Sequence, residues 1–223
     1  MRISPSALNL FKDCPRCFWL DRVAKCPRPP GIKASLPNGI DAVLKAFYDS
    51  HRKAGTKPPE VEDIPGRLFQ EQGKLDRWRN WMTGPVFRLG STVVTGALDD
   101  VWDNGDGTFS PFDFKTKGTA PTAGYAERYY MTQGSVYELL LQGEGMKTNG
   151  KAVFAFYSPR SSRGLGVFEF DVTIVEMKTD IETSKVLIGQ AVDCLGSSTF
   201  PEPTPGCKFC LYRSRDAREV VPE

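Results

Sequence analysis

A chain of 223 residues with 40% apolar and 25% charged side chains has the make-up of a soluble globular protein and lies outside the low-hydrophobicity, high-charge regime of disorder. Its 29 basic and 27 acidic side chains leave a formal charge of +2, which excludes long-range capture of a polyanion by the field of the whole molecule and leaves local patches for that task. No stretch reaches the roughly 18 to 20 consecutive apolar residues of a membrane span, and the chain arrives at Lys12 and Asp13 without an apolar signal region, so a cytoplasmic protein without membrane contact is expected.

This length suits one domain over residues 1–223. In "SPSALNLFKDCPRCFWLDRV", Ser4 suits an N-cap and Pro5 the first helical position, with Leu8, Phe11, Phe18 and Trp19 at helical spacing and a bend near Pro15. A Pro- and Gly-rich connection follows. The run "IDAVLKAFYDSHRKAG" predicts an amphipathic helix with Ile40, Val43, Leu44 and Phe47 on one face, closing at Gly55, while "RLFQEQGKLDRWRNWMTG" is a weaker helix interrupted by Gly73. From Phe87 the pattern turns to β-branched and aromatic residues, with Asn104-Gly105 and Asp106-Gly107 as turn signals, and predicts a β-meander. A helix over "GYAERYYMTQGSVYELLLQGEG", a hairpin over "KAVFAFYSPRSSRGLGVFEFDVTIV", a last amphipathic helix and a Pro-rich tail complete the chain. This order predicts an α/β (α+β) fold, a mixed sheet with helices on both faces.

The chemistry-bearing residues are Asp99, Asp113 and Lys115. With Gly96-Ala97-Leu98-Asp99 on one strand and Asp113-Phe114-Lys115 on the next, two carboxylates reach the same end of a hairpin. Mg²⁺ takes hard oxygen ligands, commonly one or two carboxylates with water and phosphate oxygens completing the shell. A lysine two residues past the second aspartate shares its strand face, where an ammonium positions water or offsets charge on phosphorus. Gln133 and Tyr137, one helical turn apart, face one side of the following helix, within reach of substrate or Lys115. Such a set suits metal-assisted phosphodiester hydrolysis.

Six cysteines in a chain of this length without an export signal read as reduced thiols. Cys14-Pro-Arg-Cys17 and Cys207-Lys-Phe-Cys210 supply four thiolates, enough for a tetrahedral zinc site or a [4Fe-4S] cluster, and spacing does not choose between them. Cys194 follows helical apolar spacing and reads as core, whereas Cys26 stands in a Pro-rich loop as a competing ligand. Lys117, Arg128, Lys147, Lys151, Arg160 and Arg163 interleave with Tyr125, Tyr129 and Tyr130, a composition that suits a groove for single-stranded nucleic acid.

The succession G-x-x-D (Gly96 to Asp99), D-x-K (Asp113 to Lys115) and Q-x-x-x-Y (Gln133 to Tyr137) resembles the RecB-type branch of the PD-(D/E)XK nuclease superfamily, and "SPSALNLFKDCPRCFWL" is similar to the first helix of that branch. The resemblance implies a restriction-endonuclease-like mixed sheet flanked by helices, with cysteine segments at about 4–26 and 200–215 clasping the two ends. It implies Asp99 and Asp113 as ligands of Mg or Mn, Lys115 as catalytic lysine, and Gln133 with Tyr137 as the supporting helix motif. Family members supply a further His or Glu ligand from an early helix shortly after a glycine; here Asp41 follows Gly39 in that place, while His51, the single histidine, reads as a solvated helix-end residue. Iron-sulfur relatives among CRISPR-associated exonucleases use one N-terminal and three C-terminal cysteines, so the likeness favours [4Fe-4S] over zinc, although the split here is two and two. The activity implied is an exonuclease on single-stranded DNA ends or flaps in repair, recombination or CRISPR adaptation, alongside a helicase or integrase. The alternative is a catalytically impaired DNA-binding or assembly subunit of the same fold.

Overall fold

Ser4 caps the first helix as its side chain dictates. Its Oγ accepts from the backbone N–H of Ala7 at 3.3 Å, and Pro5 fills the position where no N–H is needed. The structure, a computed structural model, describes residues 1–32 and 35–214; the end of the segment expected over 200–215 and of the domain expected to reach 223 lies outside the described residues. Helix α1 (Pro5–Asp13) stops at Cys14, whose extended backbone also starts α2 (Pro15–Arg22), because Pro15 has no N–H to continue the ladder. The bend expected there is thus a break into two helices.

Helix α3 (Ser35–Ala54) ends at Gly55, which takes the left-handed φ of 70° that favours glycine. Its apolar face is Ile40, Leu44, Phe47 and Tyr48. Val43, expected on that face, is 68% exposed, because the packed stripe is rotated towards Tyr48. On the far side of Tyr48, Asp41, Lys45, Asp49 and Arg52 form a polar row at helical spacing.

Two sheets carry the rest. The smaller has order β1-β4-β3, from β1 (Arg2–Ile3), β3 (Val86–Leu89) and β4 (Thr92–Thr95). The larger has order β2-β5-β6-β7-β8, from β2 (Arg67–Leu68), β5 (Asp100–Asp103), β6 (Phe109–Thr116), β7 (Lys151–Gly164) and β8 (Val167–Lys178); β6 and β7 run parallel and the other pairs antiparallel. Helices α4 (Gln72–Arg79), α5 (Tyr125–Gly143), α6 (Ile181–Gly196) and α7 (Lys208–Ser214), with a short 3-10 turn at Pro59–Val61, complete the described elements.

The meander expected from Phe87 is therefore divided between two sheets. The strand expected over Gly96 to Asp99 is an irregular link instead. Leu98 gives its N–H to the carbonyl of Trp78 at 3.1 Å rather than to a neighbouring strand, and its side chain is buried. Gly96 lies directly under α5: a Cβ there would stand 2.9 Å from Leu140 Cδ1 and 3.2 Å from Tyr137 Cε1. The glycine of G-x-x-D thus permits a close helix-to-backbone approach.

The run Ala152 to Tyr157 of β7 is buried on both faces. Ala152, Phe154 and Phe156 pack with Ala126 of α5, whereas Val153, Ala155 and Tyr157 pack with Leu44 and Tyr48 of α3. Strand alternation then fixes β6: Phe112 and Phe114 join the α3 side, so Asp113 and Lys115 belong to the α5 side. Gly134 lets α5 approach that face, since a Cβ there would meet Met177 Cε at 2.8 Å. Among the described residues, no helix is long and apolar enough to cross a membrane.

Candidate active site

Pairing between β5 and β6 ends at Asp100 opposite Phe112, which leaves the last residues of β6 without a partner on that side. Asp99 fills the gap. Its Oδ2 accepts from the Phe114 backbone N–H at 3.4 Å, which brings its carboxylate to the same pocket as Asp113. This cleft, about 370 Å³ in volume, is lined by Asp41, Asp99, Asp113, Lys115, Gln133 and Tyr137 among others. The structure brings all six of the predicted residues to one site.

Asp113 is buried, and its two oxygens differ. Oδ1 accepts from Gln133 Nε2 at 2.9 Å; the same nitrogen donates to Tyr137 Oη at 3.0 Å, so Gln133 and Tyr137 orient the carboxylate from α5. They do not bond Lys115, one of the two partners, substrate or Lys115, that the sequence left open to them. Oδ2 is in ion-pair contact with Lys115 Nζ at 2.5 Å but has no aligned hydrogen-bond donor. A buried carboxylate oxygen left in that state, facing a second carboxylate across a polar cleft, suits the donor set of a hard divalent cation.

Asp41 comes from the first half of α3, and Lys45 bridges it to Asp99, with 2.7 Å to Asp41 Oδ2 and 2.8 Å to Asp99 Oδ1. Sequence reasoning missed Lys45; the i, i+4 spacing from Asp41 was the available signal, but the contact to Asp99 was not in it. His51 lies outside the site, with Nδ1 2.8 Å from Thr56 Oγ1 and its ring against Phe47. Also missed was a buried ionic network behind Asp99, in which Arg79 Nε donates to the Asp99 carbonyl at 2.7 Å while Arg52 and Arg79 reach Asp49 and Asp100.

Burial pushes the Asp113 carboxyl up to about 8 from its ordinary 3.8, and the nearby Asp99 charge adds to this, with Lys115 offsetting only part. Lys115 is itself raised: burial works against its ammonium, but Asp113 and Asp99 outweigh it. For the metal-free protein the folded carboxyl of Asp113 holds its proton more tightly than the unfolded one. Its contribution to stability is full below the ordinary 3.8 and is lost as pH rises towards about 8. Asp113→Asn is therefore expected to raise the melting temperature in chelator at pH 8, with a gain that shrinks towards pH 5. Thermal melts across that range check this; a gain independent of pH contradicts it.

The four cysteines of the C-x-x-C pairs converge far along the chain from one another, with all sulfurs within 4.8 Å of each other. Cys14 and Cys17 are buried at the α1–α2 junction, and Cys207 and Cys210 flank the start of α7. Burial raises the Cys14 thiol, but the backbone N–H groups of Cys17 and Thr204 with the neighbouring thiols bring it down to about 6. Cys26 is exposed and outside this group, and Cys194 packs at the edge of the core.

The basic residues expected to share one groove do not. Lys151 pairs with Glu176 at the start of β7, away from the site, and Arg160 and Arg163 pair with Glu169 in the outer part of the β7–β8 hairpin. Lys147 is placed where its carbonyl accepts from Phe109 at the start of β6, and Arg128 is exposed on α5. What remains by the cleft is an aromatic-cation group, with Lys115 over the Tyr130 ring at 4.8 Å and Lys117 over Tyr125 at 4.9 Å; Tyr129 packs against Tyr125 with its ring tilted by 43°.

No curated protein matches the chain in sequence. A solved structure, described as "Crystal structure of SSO0001", is similar at 14% identity and a TM-score of 0.45, over 99% of this chain and 87% of that one, a likeness too distant to carry an argument. The family profile described as the PD-(D/E)XK nuclease superfamily matches residues 2–215, nearly the whole chain. A match of that extent places the whole described cleft inside one family: the chain belongs to the PD-(D/E)XK nuclease superfamily.

Proposed function

We propose that this chain is a single nuclease domain that cleaves DNA phosphodiesters with Mg²⁺ or Mn²⁺, acting on single-stranded ends or flaps. The observation that carries the reading is the convergence of buried Asp113 and Asp99 in one polar cleft, with Lys115 Nζ paired to Asp113 Oδ2 and no other partner on that oxygen among the described residues. Asp99 and Asp113 would hold the metal, with Asp41 as third carboxylate once Lys45 swings away. When bound, such an ion supplies Lewis-acid polarisation of the phosphate and lowers the pKa of water. Gln133 and Tyr137 fix the rotamer of Asp113. Lys115 orients the attacking water and offsets charge developing on the phosphate oxygens.

The single-strand preference is supported by the surface next to the cleft. A groove of about 620 Å³ shares Pro37 and Thr116 with the cleft and continues along Leu36, Ile40, Tyr157, Phe168 and Phe170. Leu36 and Phe168 are 73% and 62% exposed there, and Lys117 lies alongside. An exposed ring, Phe168, with apolar neighbours and a cation next to the proposed phosphodiester site suits unpaired bases, which stack where a duplex cannot.

One observation favours a second reading, a DNA-binding subunit without catalysis: Lys45 already pairs with both Asp41 and Asp99, where a metal would sit. End-labelled single- and double-stranded DNA, incubated with Mn²⁺ or Mg²⁺ and with chelator, separates the two. Metal-dependent cleavage with a preference for the single strand is expected. Binding without cleavage in either metal would establish the second reading.

A further inference from the structure

The spacing of the four cysteine sulfurs carries information that the pattern of cysteines does not. Cys14 and Cys210 stand 3.7 Å apart, Cys17 and Cys207 3.7 Å, and Cys17 and Cys210 3.6 Å, with every pair inside 4.8 Å. Four sulfurs at about 2.3 Å from a common centre form a tetrahedron with edges of about 3.8 Å. In a [4Fe-4S] cluster each thiolate ends on a different iron, and the whole inorganic cube stands between them, which holds the sulfurs well beyond contact. Here Cys17 touches both Cys207 and Cys210, Cys14 touches Cys210, and no pair exceeds 4.8 Å, closer than that cube allows.

We propose that Cys14, Cys17, Cys207 and Cys210 hold one tetrahedral Zn²⁺, closed to further ligands, instead of an iron-sulfur cluster. Four thiolates around one divalent ion leave a charge of −2, and a cation is placed to meet it. Arg28 directs Nη2 at Cys207 Sγ from 3.7 Å, is paired with Asp13 at 2.5 Å, and lies over the Phe209 ring at 4.3 Å. A polar outer shell of this kind orients thiolates and tunes their basicity.

Helix α7 shows why an ion is needed. It has seven residues and none of them is buried. A helix this short is not stable alone, and with Phe209, Leu211 and Tyr212 all exposed it gains little from the core. Coordination of Cys207 and Cys210 to the same ion as Cys14 and Cys17 ties it to α2 directly, so that metal binding contributes to folding.

The inference is independent of the nuclease reading and is tested on the full chain carrying Asp113→Ala, so that failure of one does not disguise failure of the other. Protein purified without oxygen from cells supplied with both metals is expected to be colourless, with one zinc per chain and neither iron nor acid-labile sulfide. Replacement by Co²⁺ is expected to give the intense visible bands of a tetrahedral tetrathiolate site, and Cys207→Ser to lose them or shift them. A brown protein with four irons and four sulfides per chain would overturn the proposal. So would four thiols in the folded chain that react with a thiol reagent equally fast with and without chelator, an outcome readable even where Cys207→Ser fails to fold.

Discussion

Asp113→Ala and Lys115→Ala are each expected to lower the single-turnover rate of DNA cleavage by roughly 10³-fold, the scale at which a single electrostatic contributor to a phosphoryl or acyl transition state is lost. The two losses should not multiply in the double variant, because Lys115 Nζ and Asp113 Oδ2 are 2.5 Å apart and, in the proposed function, serve the same phosphate. Asp113→Ala removes a buried carboxyl that is costly to ionise but leaves Lys115 and Gln133 without their partner, so the melt of each variant separates a loss of folding from a loss of catalysis. Gln133→Ala should behave differently, with a loss of about 10- to 100-fold that is partly recovered at high metal, since Gln133 acts through the orientation of Asp113. Rates at several Mn²⁺ concentrations, with melts of each variant, check this ordering. Unchanged cleavage in Asp113→Ala would remove the site from consideration.

The parts of this site that sequence discloses are those set by local periodicity. Asp113 and Lys115 share a face because side chains alternate on a strand, and Gln133 and Tyr137 share one because a helix turns in 3.6 residues. The apolar run of β7 likewise marks a strand buried on both faces. What stays hidden depends on how distant elements meet. Nothing around Gly96 reveals that the chain leaves one sheet there and enters another, because the cause is the side chains of Leu140 and Tyr137 pressing on a backbone over forty positions away. Arg2 and Ile3 are too short a strand to leave a pattern, yet they pair parallel to Val93 and Val94. The displacement of Val43 to solvent follows from a ring, Tyr48, that packs between Phe112 and Phe114, so the helix rolls by a fraction of a turn. Lys45 illustrates the boundary: its bond to Asp41 is local, and its bond to Asp99 is not.

Asp100→Ala is expected to cost about 3–5 kcal/mol of folding stability, the range for stranding one member of a buried ion pair. Asp100 is fully buried, and Arg52, itself 4% exposed, directs Nη2 at both of its carboxylate oxygens. Removing the carboxylate leaves Nη2 of a buried guanidinium without its partner, while Nε and Nη1 keep the Phe69 carbonyl and Asp49. Replacing both partners with apolar residues, Arg52→Met with Asp100→Leu, should recover most of that loss, since an apolar pair of similar volume pays no desolvation. Urea unfolding of the single and double variants measures both. If stability were the only use of this network, the double variant would retain full activity. Its geometry argues otherwise: Arg79 bonds the carbonyl of Asp99, and Asp100 and Asp49 hold Arg79 in turn. The double variant is therefore expected to be folded yet to need more Mn²⁺ for half-maximal cleavage, by roughly 10-fold, as supports behind a metal ligand commonly do. A double variant with unaltered metal dependence would mean that Asp99 is positioned by the β5–β6 gap alone.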